Sequence, residues 1–257
     1  MWRRAAPGSR RLTFSPEEVE RYARHLVLRE IGGPGQQKLK AASVLIVGAG
    51  GLGAPASLYL AAAGVGRITL ADPDLVSLSN LQRQVIYGVA DLEADKVEAA
   101  AARLAAINPN TAIEPLAVSV TAANAGALVA GHDLVLDGTD DFATRFAVNA
   151  ACVAERRPLI SGAIGRWTGQ VAVFEGRPCY RCLVPEIPPE AETCAAVGVI
   201  GALAGVIGSM MALEAVKLVT GAGEVLLGRL LILDALSAEA RTVRIGADPQ
   251  CPVCGRP

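Results

Sequence analysis

Four glycines that directly follow an apolar run are the clearest sign of chemistry in this chain. The run, residues 44–47, is short and β-branched, as in a strand that is buried on both faces. It is followed by Gly48, Gly50, Gly51 and Gly53, three of which give the spacing G-x-G-x-x-G. A strand, a glycine turn and a helix in this order predict a phosphate site, because the N–H groups at the helix start face the anion. The motif alone fits NAD, FAD or ATP, and a plain strand–helix joint remains the alternative.

Polar side chains cluster after the second predicted strand, Arg67–Ala71. Asp72 lies where an acidic residue commonly contacts a ribose hydroxyl. Asp74 is a further candidate contact, and the alternative is a surface turn residue. The loop that follows, residues 75–88, contains Asn80, Gln82, Arg83 and Gln84. These four form either an ordinary turn or a second set of phosphate and ribose contacts.

Further candidate contacts lie later in the chain. Lys96 is one of only four lysines among 24 basic residues, which makes it a candidate phosphate contact, although a solvated helix lysine fits the spacing equally well. Asp140 and Asp141 follow the predicted strand Leu134–Asp137, and carboxylates at such a strand end lie over the ligand crevice of an open α/β sheet. One of them could bind Mg²⁺ on a nucleotide, and one could cap the helix predicted over residues 142–155.

The cysteine spacing predicts a metal site. Two C-x-x-C pairs are present, formed by Cys179 and Cys182 and by Cys251 and Cys254. Together they can supply four thiolates to one tetrahedral Zn²⁺, which would be structural because a closed four-sulfur site has no open position for substrate. A redox pair or unrelated thiols remain alternatives, since the gap between the pairs is longer than usual. Zinc would fix the C-terminus near Phe174.

The other two cysteines differ in their surroundings. Cys152 lies in an apolar helical stretch and is predicted to be a core residue. Cys194 lies between an acidic, proline-rich segment and a glycine-rich helix, where a helix N-terminus favours the thiolate. The alternative is a small residue that fills a gap, and its position does not decide between the two.

The first predicted helix carries Arg24 and His25. Its start is indicated by Ser15 and Pro16, with Glu18 completing a capping box, and a loop is predicted at residues 31–36. By residue type alone, Arg24 is a solvated arginine and His25 a packed or capping histidine.

These candidates need a scaffold that places strand ends side by side. Strands are predicted at residues 44–47, 67–71, 112–118, 134–137, 158–163 and 170–174, and helices at residues 52–63, 92–107 and 142–155. Their alternation predicts an α/β fold with a Rossmann-like, doubly wound and mainly parallel sheet. Residues 170–174 would form an antiparallel extension, and zinc would pin the C-terminus. We expect residues 1–257 to form a single domain, with residues 1–14 as a flexible tail.

The composition argues against several classes of protein. The chain of 257 residues is 52% hydrophobic with a net charge of −1, so no strong field indicates nucleic acid or a membrane surface as a partner. No signal peptide is predicted, and six cysteines then indicate a reducing, cytoplasmic compartment. Residues 193–213 carry no charge and could span a bilayer. Small residues such as Gly201 and Gly205, with charges directly beyond, favour a buried helix at a core or subunit interface instead.

Several motifs in the same order resemble the bacterial MoeB/ThiF/HesA family, relatives of the ubiquitin-activating enzymes. The resemblance covers about residues 17–255 and rests on RYARHLVL, VGAGGLG, ADPDLVSLSNLQRQ, DGTDDFATR, CYRC, TCAAVGV and CPVC. It implies an ATP-dependent adenylyltransferase that activates the C-terminal glycine of a small ubiquitin-like sulfur carrier, MoaD- or ThiS-like. Molybdenum cofactor or thiamine biosynthesis would be the pathway. Asp141 departs from the family's frequent asparagine, and Gly138 from its common cysteine.

The resemblance also implies a role for individual residues at the nucleotide. The glycine turn and Asp72 would hold the phosphates and ribose of ATP. The equivalents of Asn80, Arg83 and Lys96 contact ATP and the reacting phosphate, and the equivalent of Asp140 binds Mg²⁺.

Residues outside this group have implied roles too. Arg24 corresponds to a finger that reaches the active site of the other subunit of a homodimer. The four paired cysteines correspond to ligands of structural zinc. Cys194 matches a cysteine that, in some members, forms a thioester or acyl-persulfide link with the carrier. Sulfur is expected from a separate donor, a sulfurtransferase or a cysteine desulfurase.

Two other classes of function remain possible from the sequence. One is an NAD(P)-binding Rossmann oxidoreductase with a structural zinc, against which Asp74 and the polar loop count. The other is a non-catalytic scaffold that binds a carrier or a nucleotide. Retention of the residues with implied catalytic roles counts against the scaffold, namely Arg24, Arg83, Lys96 and Asp140.

Overall fold

Short apolar runs pair edge to edge to form the central sheet of the computed structural model, which describes residues 13–187 and 198–255. Within these residues the sheet has eight strands in the order β3-β2-β1-β4-β5-β6-β7-β8. The strands are β1 (Ser43–Val47), β2 (Arg67–Ala71), β3 (Ala112–Leu116), β4 (Leu134–Asp137), β5 (Leu159–Ile164), β6 (Thr168–Phe174), β7 (Arg229–Asp234) and β8 (Glu239–Arg244). The first five in chain order pair in parallel, and β6, β7 and β8 continue the sheet antiparallel. The predicted doubly wound fold with an antiparallel extension is confirmed.

Helices cover both faces of this sheet. In the described residues they are α1 (Pro16–Arg21), α2 (Ala23–Leu26), α3 (Gly32–Ala41), α4 (Gly53–Ala62), α5 (Lys96–Ile107), α6 (Ala125–Ala130), α7 (Phe142–Ala154), α8 (Tyr180–Leu183) and α9 (Gly201–Thr220). Side chains of β1 alternate between two cores, because successive residues of a strand face opposite sides. Val44 and Ile46 pack with α4, α5 and α9, whereas Leu45 and Val47 pack with α6 and α7.

The predicted loop at residues 31–36 was wrong, because residues from Gly32 onward form α3. The glycine-rich sequence serves close packing here. A Cβ at Gly35 would lie 2.9 Å from Cγ2 of Ile31 and 3.5 Å from Cβ of Thr220, at the end of α9. Pro34 fits the first turn of a helix, where its missing N–H costs nothing.

The helix predicted from residue 92 begins later, at Lys96. Residues 92–94 form a turn, in which Glu93 has a φ of +65°. Backbone hydrogen bonds to the chain after β2 hold this turn, including Val76 N to Ala94 O. Lys96 N then donates to Asp74 O at 3.0 Å. Lys96 therefore becomes the first residue of α5 and lies beside the end of β2.

The long apolar helix α9 packs against the inside of the fold. It is long and apolar enough to cross a membrane by length and composition, yet half of its apolar window is buried within the described structure. It contacts α3, α4, β5 and β6. Small residues make this possible, since a Cβ at Gly208 would overlap Pro55 of α4, and a Cβ at Gly162 of β5 would overlap Met211. The predicted close-packed helix is confirmed from Gly201 onward, and residues 193–197 of the predicted stretch lie outside the described residues.

Replacing Gly208 should test this close approach. We expect Gly208→Ala to lower the free energy of unfolding by about 1–3 kcal/mol, because the new methyl group meets both Pro55 and the backbone of Leu52. Gly126→Ala in α6 is the control, since a Cβ there meets nothing within 4 Å. The control should be neutral or stabilising by up to about 1 kcal/mol. Urea unfolding followed by circular dichroism measures both, and equal stability of the two variants would contradict the packing.

Candidate functional site

A cavity of about 580 Å³ lies at the carboxyl ends of β1, β2 and β4. The chain leaves β1 towards β2 on one side and returns to β4 on the other, so this is the point where the strand order reverses. Ligands of open α/β sheets bind at such a point. The sequence-predicted residues that line the cavity are Gly48, Gly50, Gly51, Asp72, Asp74, Asn80, Arg83, Gln84, Lys96, Asp140 and Asp141.

The glycine turn shapes the floor of the cavity. Gly48 has a φ of +90°, a conformation that favours glycine. A Cβ at Gly53 would overlap the carbonyl oxygen of Gly48, so glycine lets α4 begin this close to the end of β1. Within α4 the N–H of Ala54 already donates to Gly50 O, and Pro55 has no N–H. The N–H groups that remain for an anion are therefore those of the turn itself, at Gly50 and Gly51, where no side chain caps the helix. Gly53 packs against Gly48 and does not itself line the cavity.

The Asp72 carboxylate joins the glycine turn to the end of β2. Its Oδ2 accepts a hydrogen bond from the N–H of Ala49 at 2.7 Å, and its Oδ1 accepts one from the N–H of Asp74 at 2.9 Å. Burial raises the pKa of Asp72, and Lys96, whose Nζ lies 3.9 Å from Oδ1, opposes that rise. Each oxygen keeps a second lone pair, so Asp72 can still accept a ligand hydroxyl.

Lys96 is buried at the side of the cavity. Its Nζ donates to Oδ2 of Asp74 at 2.7 Å. An ammonium group has three donors, so Lys96 can hold Asp74 and still donate to an anion in the cavity. The alternative hypothesis, that Lys96 is a solvated helix lysine, was wrong, because only 5% of its side chain is exposed.

The polar loop after β2 folds as a short 3₁₀ turn, Leu78–Asn80, beside the glycine turn. Nη1 of Arg83 donates to Ser79 O at 3.2 Å, and the aliphatic part of Arg83 lies against Gly51. Gln84 is buried next to Gly50, and its Oε1 has no hydrogen-bond partner among the described residues. Asn80, Arg83 and Gln84 line the cavity, whereas Gln82 does not.

The two acids after β4 take separate positions. Oδ2 of Asp141 accepts a hydrogen bond from the N–H of Thr144 at 2.7 Å, which caps α7 and lowers the pKa of Asp141. Asp140 is exposed at the cavity and makes no hydrogen bond or ion pair within the part of the chain that the structure describes. Asp140 therefore offers a free carboxylate to a cation.

Two residues that had no sequence-predicted role also shape the site. Tyr87 donates from its hydroxyl to Ala49 O at 2.8 Å and so holds the glycine turn from behind. Arg145 is buried beneath the turn after β4 and donates to the carbonyl oxygens of Thr139 and Gly162. A usable signal was the spacing of Asp141, Arg145 and Asn149, since residues four apart lie on one face of a helix.

Two predicted residues are not brought into this cavity. Arg24 is exposed on α2 and does not line the cavity. Its guanidinium makes no hydrogen bond or ion pair with any residue that the structure describes. Cys194 lies outside the described residues.

The four paired cysteines converge in space. Their Sγ atoms all lie within 4.8 Å of one another, with Cys179 and Cys251 at 3.7 Å and Cys182 and Cys254 at 3.4 Å. A tetrahedral Zn²⁺ with bonds of about 2.3 Å requires sulfur atoms about 3.8 Å apart. The cluster therefore fits a metal ion. Cys152 is buried in the core, as predicted.

Comparison with known proteins gives one consistent result. The model of the ThiF family matches residues 22–253. A sulfur carrier protein adenylyltransferase of Thermus thermophilus is 46% identical and aligns over 95% of this chain and 93% of its own length. The molybdopterin-synthase adenylyltransferase of Escherichia coli is 47% identical over 95% of this chain and 99% of its own. The crystal structure of Escherichia coli MccB superposes with a TM-score of 0.82 at 23% identity, over 95% of this chain and 74% of that one, which indicates a shared fold.

Proposed function

Since the chain belongs to the ThiF family, we propose that it is an ATP-dependent adenylyltransferase that activates the C-terminal glycine of a small ubiquitin-like sulfur carrier. The observation that supports this most directly is the composition of the cavity. The glycine turn meets two cations there, Arg83 and Lys96, and one unpaired carboxylate, that of Asp140. The oxidoreductase and scaffold alternatives are not favoured, because both relatives named above are adenylyltransferases.

The reaction requires little acid–base chemistry. The carboxylate of the carrier's terminal glycine is ionised at neutral pH, so it attacks the α-phosphorus of ATP without a protein base. A bond forms between that carboxylate oxygen and the α-phosphorus, the bond to the β-phosphate oxygen breaks, and pyrophosphate leaves. The products are the acyl adenylate and pyrophosphate.

The main task of the protein is to bring two anions together. Lys96 and Arg83 donate to the phosphoryl oxygens, where charge increases in the transition state. The N–H groups of the glycine turn, at Gly50 and Gly51, would hold the phosphates, and Asp72 would hold the ribose. Asn80 lies on the same side and supplies an amide to the phosphates.

Asp140 fits the role of a magnesium ligand. Its carboxylate is free of other described partners, and hard oxygen ligands are those that Mg²⁺ prefers. When bound, the ion would neutralise charge on the phosphate oxygens.

Pyrophosphate exchange tests this function. We expect ATP–pyrophosphate exchange that depends on a carrier ending in Gly-Gly, and we expect Asp140→Asn to lower its rate about 100-fold or more. Asp141→Asn is the matched control, because asparagine caps a helix as well as aspartate does. Absence of carrier-dependent exchange in the unsubstituted protein would contradict the function. Equal loss in both variants would contradict the role of Asp140.

The four-cysteine cluster is proposed to hold structural zinc. It lies where α8 and the C-terminal segment meet, so the metal would fix that segment to the strand side near Phe174. Asn149 donates from Nδ2 to Sγ of Cys179 at 3.6 Å, which favours a thiolate ligand. None of the four cysteines lines the cavity, so the metal is proposed to take no part in the chemical step.

Metal analysis tests the zinc site. We expect about one zinc per chain, because four thiolates saturate one tetrahedral ion. Cys254→Ser should lower the zinc content and the melting temperature, whereas Cys152→Ala should keep its zinc. Full zinc content in Cys254→Ser, measured by atomic absorption, would rule out the cluster as the site.

A homodimer is proposed from an exposed apolar groove between α4 and α9. The groove has a volume of about 890 Å³ and carries exposed Tyr59, Val206 and Leu213. Contiguous apolar surface of this kind marks an interaction site. Arg21, the last residue of α1, donates to the carbonyl oxygen of Ile107, which lines the groove, and Arg24 follows three residues later in the chain. A second copy seated in the groove would bring Arg24 close to the neighbouring subunit and explain its lack of partners here.

Mixed dimers test this arrangement. Arg24→Ala and Asp140→Asn should each abolish exchange, but a mixed dimer would contain one intact site, so an equal mixture should recover about a quarter of the activity. A mixture of Arg83→Ala and Asp140→Asn is the control, because both residues belong to the same subunit's cavity. Recovery in the control alone, or in neither mixture, would contradict a finger that acts between subunits.

We also propose a sulfur donor and a cellular location for this protein. The described cysteines are buried in the core or belong to the metal cluster, so the sulfur is proposed to come from a separate donor protein, a sulfurtransferase or a cysteine desulfurase. Cys194 is proposed to link covalently to the carrier after adenylation, so Cys194→Ala should keep pyrophosphate exchange. The pathway is molybdenum cofactor or thiamine biosynthesis. We propose a cytoplasmic protein that acts without nucleic acid or membrane.

A further inference from the structure

We infer that Arg145 is a positioning residue for Asp140. The inference rests on the proposed function, in which Asp140 holds the metal ion on ATP. Asp140 lies in the turn between β4 and α7 and has no described side-chain partner of its own. Its position therefore depends on whatever fixes the residues on either side of it.

Four hydrogen bonds fix the turn before Asp140. The N–H and Oγ1 of Thr139 both donate to Oδ1 of Asp137, at 3.0 and 2.8 Å. The N–H of Gly138 donates to Val47 O at 3.0 Å, which ties the turn to β1. Nη2 of Arg145 donates to Thr139 O, the carbonyl that directly precedes Asp140. After Asp140, the turn is fixed by the cap that Asp141 forms on α7.

Arg145 also joins the turn to the neighbouring strand. The same Nη2 donates to Gly162 O at 2.7 Å, and Nη1 donates to Oγ of Ser161 at 3.2 Å, both in β5. A guanidinium can make such a fork because its donors are planar and fixed, which a lysine ammonium cannot reproduce. Arg145 therefore sets the distance between the turn that carries Asp140 and the adjacent strand.

The buried carboxylate of Asp137 also holds Arg145 in place by its opposite charge. Asp137 is buried, and its Oδ2 has no hydrogen-bond partner among the described residues. Nη1 of Arg145 lies 3.9 Å from that oxygen and supplies the opposite charge. The ring of Tyr180 covers the guanidinium, with 5.8 Å from Cζ to the ring centroid.

These contacts distinguish Arg145 from the cations that face the ligand. Although Arg145 lines the cavity, both hydrogens of Nη2 are used by carbonyl oxygens of the protein and its side chain is only 6% exposed. Arg145 therefore acts through Asp140 rather than by contact with phosphate.

Binding measurements separate these two roles. We expect Arg145→Lys to raise the Mg²⁺ concentration needed for half-maximal exchange about tenfold, the loss expected for one or two hydrogen bonds, with kcat at saturating Mg²⁺ nearly unchanged. Binding of ATP in EDTA, measured by calorimetry, should stay as in the unsubstituted protein. Arg181→Lys is the control, because Arg181 also stacks on an aromatic ring, that of Phe146 at 4.0 Å, but does not contact the turn.

A measurement without ligand makes the inference independent of activity. Amide hydrogen exchange in the ligand-free protein should be faster at residues 138–141 in Arg145→Lys and unchanged in Arg181→Lys. Weaker binding of metal-free ATP to Arg145→Lys would show direct phosphate contact and overturn the inference, as would unchanged Mg²⁺ dependence. If the unsubstituted protein shows no carrier-dependent exchange while amide exchange at the turn still rises, the proposed function fails and the positioning of the turn by Arg145 stands.

Discussion

The cavity depends on one buried carboxylate, that of Asp72. Its two oxygens accept backbone hydrogen bonds from Ala49, in the glycine turn, and from Asp74, beyond β2. Burial opposes the charge of this group, and Lys96 supports it from the start of α5. Three segments of the chain, the glycine turn, the end of β2 and the start of α5, therefore meet at one side chain, which sets the shape of the cavity.

Close approach of backbones is the second requirement of this site. Gly53 permits α4 to start against the carbonyl of Gly48, and Gly208 permits α9 to lie on α4. Any side chain at either position would separate the elements, and protein interiors tolerate little added volume. The apolar character of α9 is explained by this packing, with its remaining apolar surface facing the groove beside Tyr59 and Val206.

The basic residues around the cavity divide into two groups. Lys96 and Arg83 keep donors that can face an anion, whereas Arg145 uses its donors on Thr139, Gly162 and Ser161. Lys96 also holds Asp74, yet an ammonium group has a further donor for a ligand, whereas the side chain of Arg145 is enclosed by the protein.

The sequence alone determined which residues are candidates for chemistry. The glycine spacing, the acids at strand ends, the paired cysteines and the family resemblance all depend on local residue types and spacing. The sequence also predicted the parallel core, because short apolar runs that alternate with helical segments are visible in the local residue pattern. Only the tertiary structure decided that Lys96 is buried beside Asp72, that the glycines near Gly35 belong to a helix, and that Arg145 lies under the turn. The physical reason is that burial and hydrogen-bond partners come from residues distant in sequence, such as Thr220 beside Gly35 and Gly162 beside Arg145.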